Sequence, residues 1–186
     1  VICTGTTTVF TANPSGGTSP YSYLWSNSAT TQSVTVSSAG NYSVTVTDLN
    51  GCTGTANVAL TVNAITPGSI AADQTICSGG DPAGFTSVAA TGSGTITYQW
   101  QSSTTGCNGT FSNIAGATLS TYDVPSGLTV TTSYRRVATS TLNGVACSAN
   151  SNCITVTVND LTPGSIAADQ TICSGGDPAG FTSVAA

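Results

Sequence analysis

The chain has 186 residues, among which two Arg and seven Asp are the only charged side chains, so that its net charge at pH 7 is −5. A nucleic-acid-binding protein needs a basic surface to neutralise phosphates, and two adjacent Arg residues cannot supply one, so nucleic acid is excluded as a partner. Apolar residues make up 39% of the chain without forming a continuous run that could span a bilayer. We therefore expect a folded protein that does not insert into a membrane.

The first third of the chain has the pattern of short β-strands. The stretches SVTVSSAGNYSVTVTD and NVALTV alternate Val with Thr or Ser, and this period of two is typical of half-buried strands. Helical periodicity is missing throughout, and the pairs Asn50-Gly51 and Asn143-Gly144 favour tight hairpins. The sequence predicts an all-β protein.

Landmarks of residues 1–63 recur in the same order in residues 64–159. YSYLWSN corresponds to TITYQWQS, and GNYSVTVTDLNGC corresponds to TSYRRVATSTLNGVAC. Alternate side chains of a strand share one face, so we expect the aromatic residues of these stretches to point into two cores. The predicted core residues are Tyr23, Trp25 and Tyr42 in the first unit and Tyr98, Trp100 and Tyr134 in the second.

One stretch is repeated without change. TPGSIAADQTICSGGDPAGFTSVAA occupies residues 66–90 and recurs at residues 162–186, 96 positions later. A repeat of that length can bury its own core, which favours domains joined in tandem over a solenoid. We predict units at 1–63 and 64–159 and the beginning of a third unit at 160–186, and we expect the chain to be a window on a longer array.

The order of landmarks is typical of immunoglobulin-like sandwiches. That fold has a Trp on its third strand, a Tyr at the start of its penultimate strand and a final hairpin. The usual intersheet Cys is missing, because Val44 and Arg136 stand two residues after the aligned Tyr residues. The predicted fold is a set of tandem immunoglobulin-like β-sandwich domains, stapled by disulfides and arranged end to end.

The seven Cys residues favour disulfide bonds. None stands in a CxxC arrangement and the chain has no His, so a zinc site is not indicated. Small units with this density of Cys are typical of an oxidising, extracellular setting, whereas buried free thiols in a cytosolic protein are the alternative.

The alignment suggests how the Cys residues pair. Each unit has one Cys near its start and one in the loop before its last strand, and we expect these two to be bonded. Cys173 would pair with a residue beyond Ala186. The predicted disulfides are Cys3–Cys52, Cys77–Cys147 and, by elimination, Cys107–Cys153.

Residues 15–53 contain, in this order, GG, a Pro-Tyr-x-Tyr strand, WSN, ATTQ, an AG-x-Y-x-V-x-V strand and D-x-NGC. This pattern resembles the SprB repeat of giant surface adhesins of gliding Bacteroidetes, with Ser28 where the family usually has Gly. Residues 64–159, through TICSGG, ITYQWQSS, NIAGAT and YRRVATS, are similar to immunoglobulin-like modules of other large secreted proteins of that phylum. The resemblance implies export by the type nine secretion system and a cell-surface role in adhesion or gliding.

The composition offers little for catalysis. Without His, Glu or Lys the usual general bases and activated nucleophiles cannot be assembled, so we predict no catalytic residue, cofactor or metal site. Asp48 is interpreted as a turn residue. Arg135 and Arg136 point to opposite faces of a strand, where we expect a local ion pair with an Asp, the alternative being anion or partner binding.

The strands carry no Lys to guard their edges against pairing with other strands. Glycans or neighbouring repeats could cover such edges, or other copies of the chain could pair with them. We expect a non-catalytic stalk segment of a secreted adhesin, in contact with neighbouring repeats and with an unspecified surface ligand or glycan at its binding end. The alternatives are a subunit of a self-assembling extracellular fibre, in which residues 160–186 complete a neighbour's sandwich, and a spacer in a secreted polysaccharide-degrading enzyme.

Overall fold

The computed structural model describes residues 1–166 and 169–184, and within these ranges every regular element is a β-strand. No helix in these ranges has the length and apolar character needed to cross a membrane. The strands form two immunoglobulin-like sandwiches in tandem and a short third segment. The all-β, tandem-sandwich prediction is confirmed.

The first unit is built from two small sheets and one short parallel ladder. Its strands are β1 (Ile2–Cys3), β2 (Thr8–Thr11), β3 (Ser22–Trp25), β4 (Ser33–Val36), β5 (Gly40–Thr47), β6 (Thr53–Leu60) and β7 (Val62–Asn63). β2 pairs with β4 in one sheet, and β3, β5 and β6 form the other, while β1 runs parallel to β7. Alternation in β4 directs Val34 and Val36 into the core and leaves Ser33 and Thr35 exposed.

The second unit has one large sheet and two short ladders. Its strands are β8 (Ile65–Thr66), β9 (Ser69–Ile70), β10 (Gln74–Cys77), β11 (Ser87–Val88), β12 (Thr91–Gly92), β13 (Thr95–Ser103), β14 (Ser112–Asn113), β15 (Thr132–Leu142), β16 (Val145–Asn150) and β17 (Ile154–Asn159). The large sheet has the order β10-β17-β15-β13-β14, with β16 also paired to β15, and the ladders are β9–β11 and β8–β12. The core packs between the large sheet and the segment that contains Ile70 and Phe85.

A buried Trp lies at the centre of each core. Trp25 is 4% exposed and Trp100 is fully buried. Each indole N–H is satisfied by a carbonyl of the chain that covers it: Trp25 Nε1 donates to Thr31 O at 2.8 Å and Trp100 Nε1 donates to Leu119 O at 2.9 Å. The two units therefore bury their Trp in the same way.

The predicted core Tyr residues lie at different depths. Tyr134 is buried, whereas Tyr23, Tyr42 and Tyr98 are half-buried. The Tyr42 hydroxyl donates to Ser38 O at 2.8 Å, an arrangement like the tyrosine corner of immunoglobulin domains. Tyr23 and Tyr42 pack against the first core.

The third segment repeats the local structure of the second unit's beginning. Strands β18 (Ser165–Ile166) and β19 (Ser183–Val184) pair in the register of β9 and β11. Phe181 is nevertheless 67% exposed, whereas its counterpart Phe85 is 3% exposed and packs against Trp100 of β13 and Tyr134 of β15. Residues 167–168 and 185–186 of the predicted third unit lie outside the described residues.

Candidate functional site: the junction between the units

A disulfide joins the two units. Cys3 of β1 is bonded to Cys147 of β16, with 5.6 Å between their Cα atoms. The predicted Cys3–Cys52 and Cys77–Cys147 bonds are therefore wrong, and Cys52 and Cys77 are exposed free thiols. The third predicted bond, Cys107–Cys153, is present, with a Cα–Cα distance of 5.8 Å.

Strand direction explains the different pairing. Because β1 runs parallel to β7, Cys3 lies beside Asn63, at the end of the unit where the chain leaves it. Cys52 directly precedes β6, which has eight residues. At about 3.3 Å per residue, the length of β6 separates Cys52 from the exit of the unit by about 26 Å, so Cys52 lies at the opposite end from Cys3. A Cys at the far end of one unit thus meets the hairpin Cys at the near end of the next.

Asn63 fills the space beside this disulfide. Its side chain is fully buried, and its Nδ2 donates to Ser140 O at 2.8 Å and to Val145 O at 2.9 Å. Ser140 Oγ donates to Asn63 Oδ1 at 2.7 Å, and Ser140 is also fully buried. We call Cys3 with Asn63 the plug, and Ser140, Val145 and Cys147 the socket.

A tight turn shapes the socket. β15 and β16 are joined at Asn143 and Gly144, whose φ angles are +49° and +81°. Two consecutive positive φ angles are typical of a type I′ turn, as the Asn-Gly pair predicted. The turn sets Ser140 opposite Cys147 across the hairpin. The Ser140 hydroxyl and the Cys147 sulfur therefore both face the first unit.

The connection between the units is itself hydrogen-bonded. Ala64 N donates to Ser93 Oγ at 3.1 Å, and Ser93 N donates to Ala64 O at 3.0 Å. The next two residues form β8, which pairs with β12. The chain therefore enters the second unit as a paired strand rather than as a free linker.

Arg136 of β15 ties the repeated stretch, residues 66–90, to the large sheet of the second unit. The side chain is fully buried, and its guanidinium donates to the carbonyls of Pro67 (3.2 Å), Val88 (2.7 Å) and Ser120. The guanidinium lies 4.6 Å from the centre of the Tyr98 ring. Burial lowers the pKa of Arg136 from its ordinary value, and the nearby Tyr98 phenol opposes that shift.

The predicted ion pair with an Asp is wrong, because Arg135 and Arg136 are held by other contacts. Arg136 is bound by carbonyls, and Arg135 stacks on Phe111 at 4.1 Å and donates from Nε to Gln101 Oε1 at 2.7 Å. The alignment contained the signal for Arg136, because it occupies the position of Val44, which is 4% exposed in the first core. A buried charge here needs acceptors, and three carbonyls accept from its two terminal nitrogens, while Nε has no acceptor among the described residues.

Asp48 acts within a turn. Its carboxylate accepts hydrogen bonds from the backbone N–H groups of Thr18 (3.0 Å), Asn50 (3.0 Å) and Cys52 (2.8 Å). These donors, Thr18 first, lower the pKa of Asp48 below its ordinary value. Among the described residues no three His, Cys, Asp or Glu side chains gather as a metal site would require.

The first unit also contains an open cleft of about 710 Å³. It lies between β2 and β6, and Phe10, Tyr42 and Val58 contribute to its walls. β6 is the outer strand of its sheet, and residues 53–59 are exposed. Its walls include neither Cys3 nor Asn63, so the cleft lies away from the junction.

Two sandwiches joined by a disulfide, a buried Asn and a paired connection define a tandem-domain β-protein. The chain belongs to the family described as Domain of unknown function (DUF8696), whose model matches residues 66–160. No curated protein matches the chain.

Among solved structures, the chain is similar to the three N-terminal domains of the Highly Immunogenic Outer Capsid protein (Hoc) of bacteriophage RB49. The TM-score is 0.49 and the sequence identity is 15%. The match covers 75% of this chain and 58% of the phage chain, so this chain spans less than two thirds of that protein's length.

Proposed function

We propose that this chain is a non-catalytic stalk segment of a secreted cell-surface adhesin, whose repeats hold a binding end away from the cell. The observation that supports this function is the junction, where one unit is joined to the next by the Cys3–Cys147 bond and by the buried Asn63.

A stalk has to transmit force and keep its direction between units. A polar linker would behave as a flexible coil, whereas here the connection pairs with the second unit from Ala64 onward. A disulfide across the junction adds a covalent path that bypasses residues 4–146, which include the whole core of the first unit. Two disulfides also favour an oxidising compartment, in agreement with a protein that acts outside the cell. Adhesion and gliding rest on the resemblance of residues 15–53 to the SprB repeat.

The exposed edge of β6 favours a second candidate, the subunit of an extracellular fibre. An outer strand without charged side chains can pair with a strand of another copy.

Electron microscopy of the encoding bacterium, with gold-labelled antibodies raised against the chain, tests the proposal. We expect label on thin single threads at the cell surface, and we expect the label to vanish when the gene is deleted. Thick filaments with helical order would contradict the stalk proposal and support the fibre subunit. A catalytic domain encoded in the same gene would make the chain an enzyme spacer.

A further inference from the structure

The far end of the second unit repeats the plug of the first. β10 runs parallel to β17, and this register pairs Cys77 with Asn159. In the first unit, the parallel pairing of β1 and β7 puts Cys3 beside Asn63 in the same way. The same two side chains are thus held side by side at the exit of both units.

The backbone around the two Cys residues is also the same. Thr4 N donates to Asn63 O at 3.2 Å, and Ser78 N donates to Asn159 O at 3.0 Å. Each Cys then opens a turn with a Gly at positive φ, Gly5 at +82° and Gly79 at +77°. The position of the second Cys is therefore set by the same local structure that sets Cys3 against the socket.

The two ends differ in what covers them. Asn63 is fully buried in the socket and Cys3 is oxidised, whereas Asn159 is exposed and Cys77 is an exposed free thiol. A primary amide at this site has two donors and an acceptor to satisfy, and in the first junction the socket satisfies all three. The second plug presents the same groups without a socket.

The sequence indicates what belongs there. Residues 61–66 read TVNAIT and residues 157–162 read TVNDLT, so the chain that crosses the first junction recurs at the second. Asn159 is followed by the second copy of the stretch that opens the 64–159 unit. The socket hairpin, with Ser140, Val145 and Cys147, is part of that unit.

We propose that Cys77 and Asn159 form a second plug, whose occupant is the socket hairpin of a further copy of the 64–159 unit. The Asn159 amide donates to the two hairpin carbonyls and accepts from the Ser hydroxyl, as Asn63 does. The Cys77 thiol and the hairpin thiol lose two protons and two electrons to a disulfide oxidant, which leaves as two thiols, and a new disulfide forms. Each unit of the array is thus stapled to the one after it.

This inference deepens the proposed stalk function and rests on it only in requiring a further unit. The test is the full 186-residue chain continued after Ala186 by a copy of residues 91–159, which completes a third unit from the chain's own sequence. The protein is oxidised in a glutathione buffer, alkylated, digested without reduction and mapped by mass spectrometry. We expect a peptide that links Cys77 to the appended copy of Cys147, and an alkylated Cys173.

Two variants of the extended chain sharpen the test. Asn159→Ala should lower the equilibrium constant for the Cys77 bond against glutathione about a hundredfold, since it removes three hydrogen bonds. Asp160→Ala should leave that constant unchanged, because the first junction has Ala64 at the equivalent position.

A free Cys77, or a bond from Cys77 to Cys173, to Cys52 or to a second chain, would overturn the proposal. A bond between the appended copies of Cys107 and Cys153 reports that the third unit has folded, and its absence also counts against the proposal, which requires a folded copy at this end. A Cys77 bond in the extended chain together with unlabelled cells would overturn the stalk and leave the second plug in place.

Discussion

Asn63 and Ser140 lie 77 positions apart and hydrogen-bond to each other twice, from Asn63 Nδ2 to Ser140 O at 2.8 Å and from Ser140 Oγ to Asn63 Oδ1 at 2.7 Å. Both side chains are fully buried, so water cannot replace either partner. Ser140 Oγ also accepts from Gly94 N at 2.9 Å, which connects the junction to the start of β13. One amide of the first unit therefore completes the hydrogen bonding of the second.

Replacing Asn63 by Ala should destabilise the chain. The change leaves the carbonyls of Ser140 and Val145 and the Ser140 hydroxyl without this partner in a buried site, and we expect a loss of about 3 kcal/mol in the free energy of unfolding. Urea unfolding measures it. The control is Asn159→Ala, which changes an exposed side chain and should stay within about 0.5 kcal/mol of the wild type. Equal losses in the two variants would contradict the role of Asn63.

Replacing Cys3 by Ser opens the longest covalent loop. That disulfide spans 144 positions, and the loop-entropy model gives it a stabilisation of about 5 kcal/mol. Cys77→Ser replaces a free thiol that closes no loop, so it should leave the urea unfolding curve unchanged. Before reduction, a thiol reagent should label Cys52, Cys77 and Cys173 in the native protein. Loss of stability in Cys77→Ser, or protection of Cys52 from labelling, would support the pairing predicted from the alignment instead.

The alignment of the two units identified equivalent residues but could not show which Cys residues are bonded to each other. It matched Cys3 with Cys77 and the Trp of each core, because these follow from strand periodicity and from repeated local motifs. The alignment therefore predicts that each of these Cys residues is bonded within its own unit. The parallel pairing of β1 with β7 is a contact between distant parts of the chain that leaves no periodic trace, and it carries Cys3 to the end of its unit.

Arg136 shows a second limit of sequence reasoning. Charge alone suggested a surface ion pair, and the position it shares with the buried Val44 pointed to the core. The three carbonyls that accept from it come from Pro67, Val88 and Ser120, which only the folded chain brings together. Composition could not supply that arrangement.

The adjacent Arg residues should respond differently to replacement. Arg136→Leu keeps an apolar stem but leaves three carbonyls without their donor, and we expect a loss of about 3 kcal/mol or more in the free energy of unfolding. Arg135→Leu removes a half-exposed stacking contact and one hydrogen bond, and should lose about 1 kcal/mol or less. Thermal or urea unfolding of the two variants compares them directly. A larger loss for Arg135→Leu would show that the surface contacts matter more than the buried ones.

Acid should weaken the chain through Asp48. Its folded pKa lies below the ordinary value of 3.8, so its stabilising contribution is complete above that pH and is lost as pH falls through the folded pKa. Urea midpoints measured from pH 5 to pH 2 should therefore fall more steeply in the wild type than in Asp48→Asn, whose side chain does not titrate. Parallel profiles for the two proteins would show that the hydrogen bonds from Thr18, Asn50 and Cys52 stabilise the protonated carboxyl group as much as the ionised carboxylate.

The Cys3–Cys147 bond should determine how far the chain can be stretched. Force applied at the two termini passes through this bond, so the residues between its Cys partners cannot extend while it is intact. Single-molecule pulling with and without a reducing agent measures the difference. Reduction should release 144 positions, which at ~3.6 Å each adds about 50 nm to the contour length. Cys77→Ser should stretch like the wild type, because the Cys77 thiol forms no disulfide bond in this chain. If the oxidised wild type extends to the reduced length, the junction is not covalently closed and force must pass through the two cores.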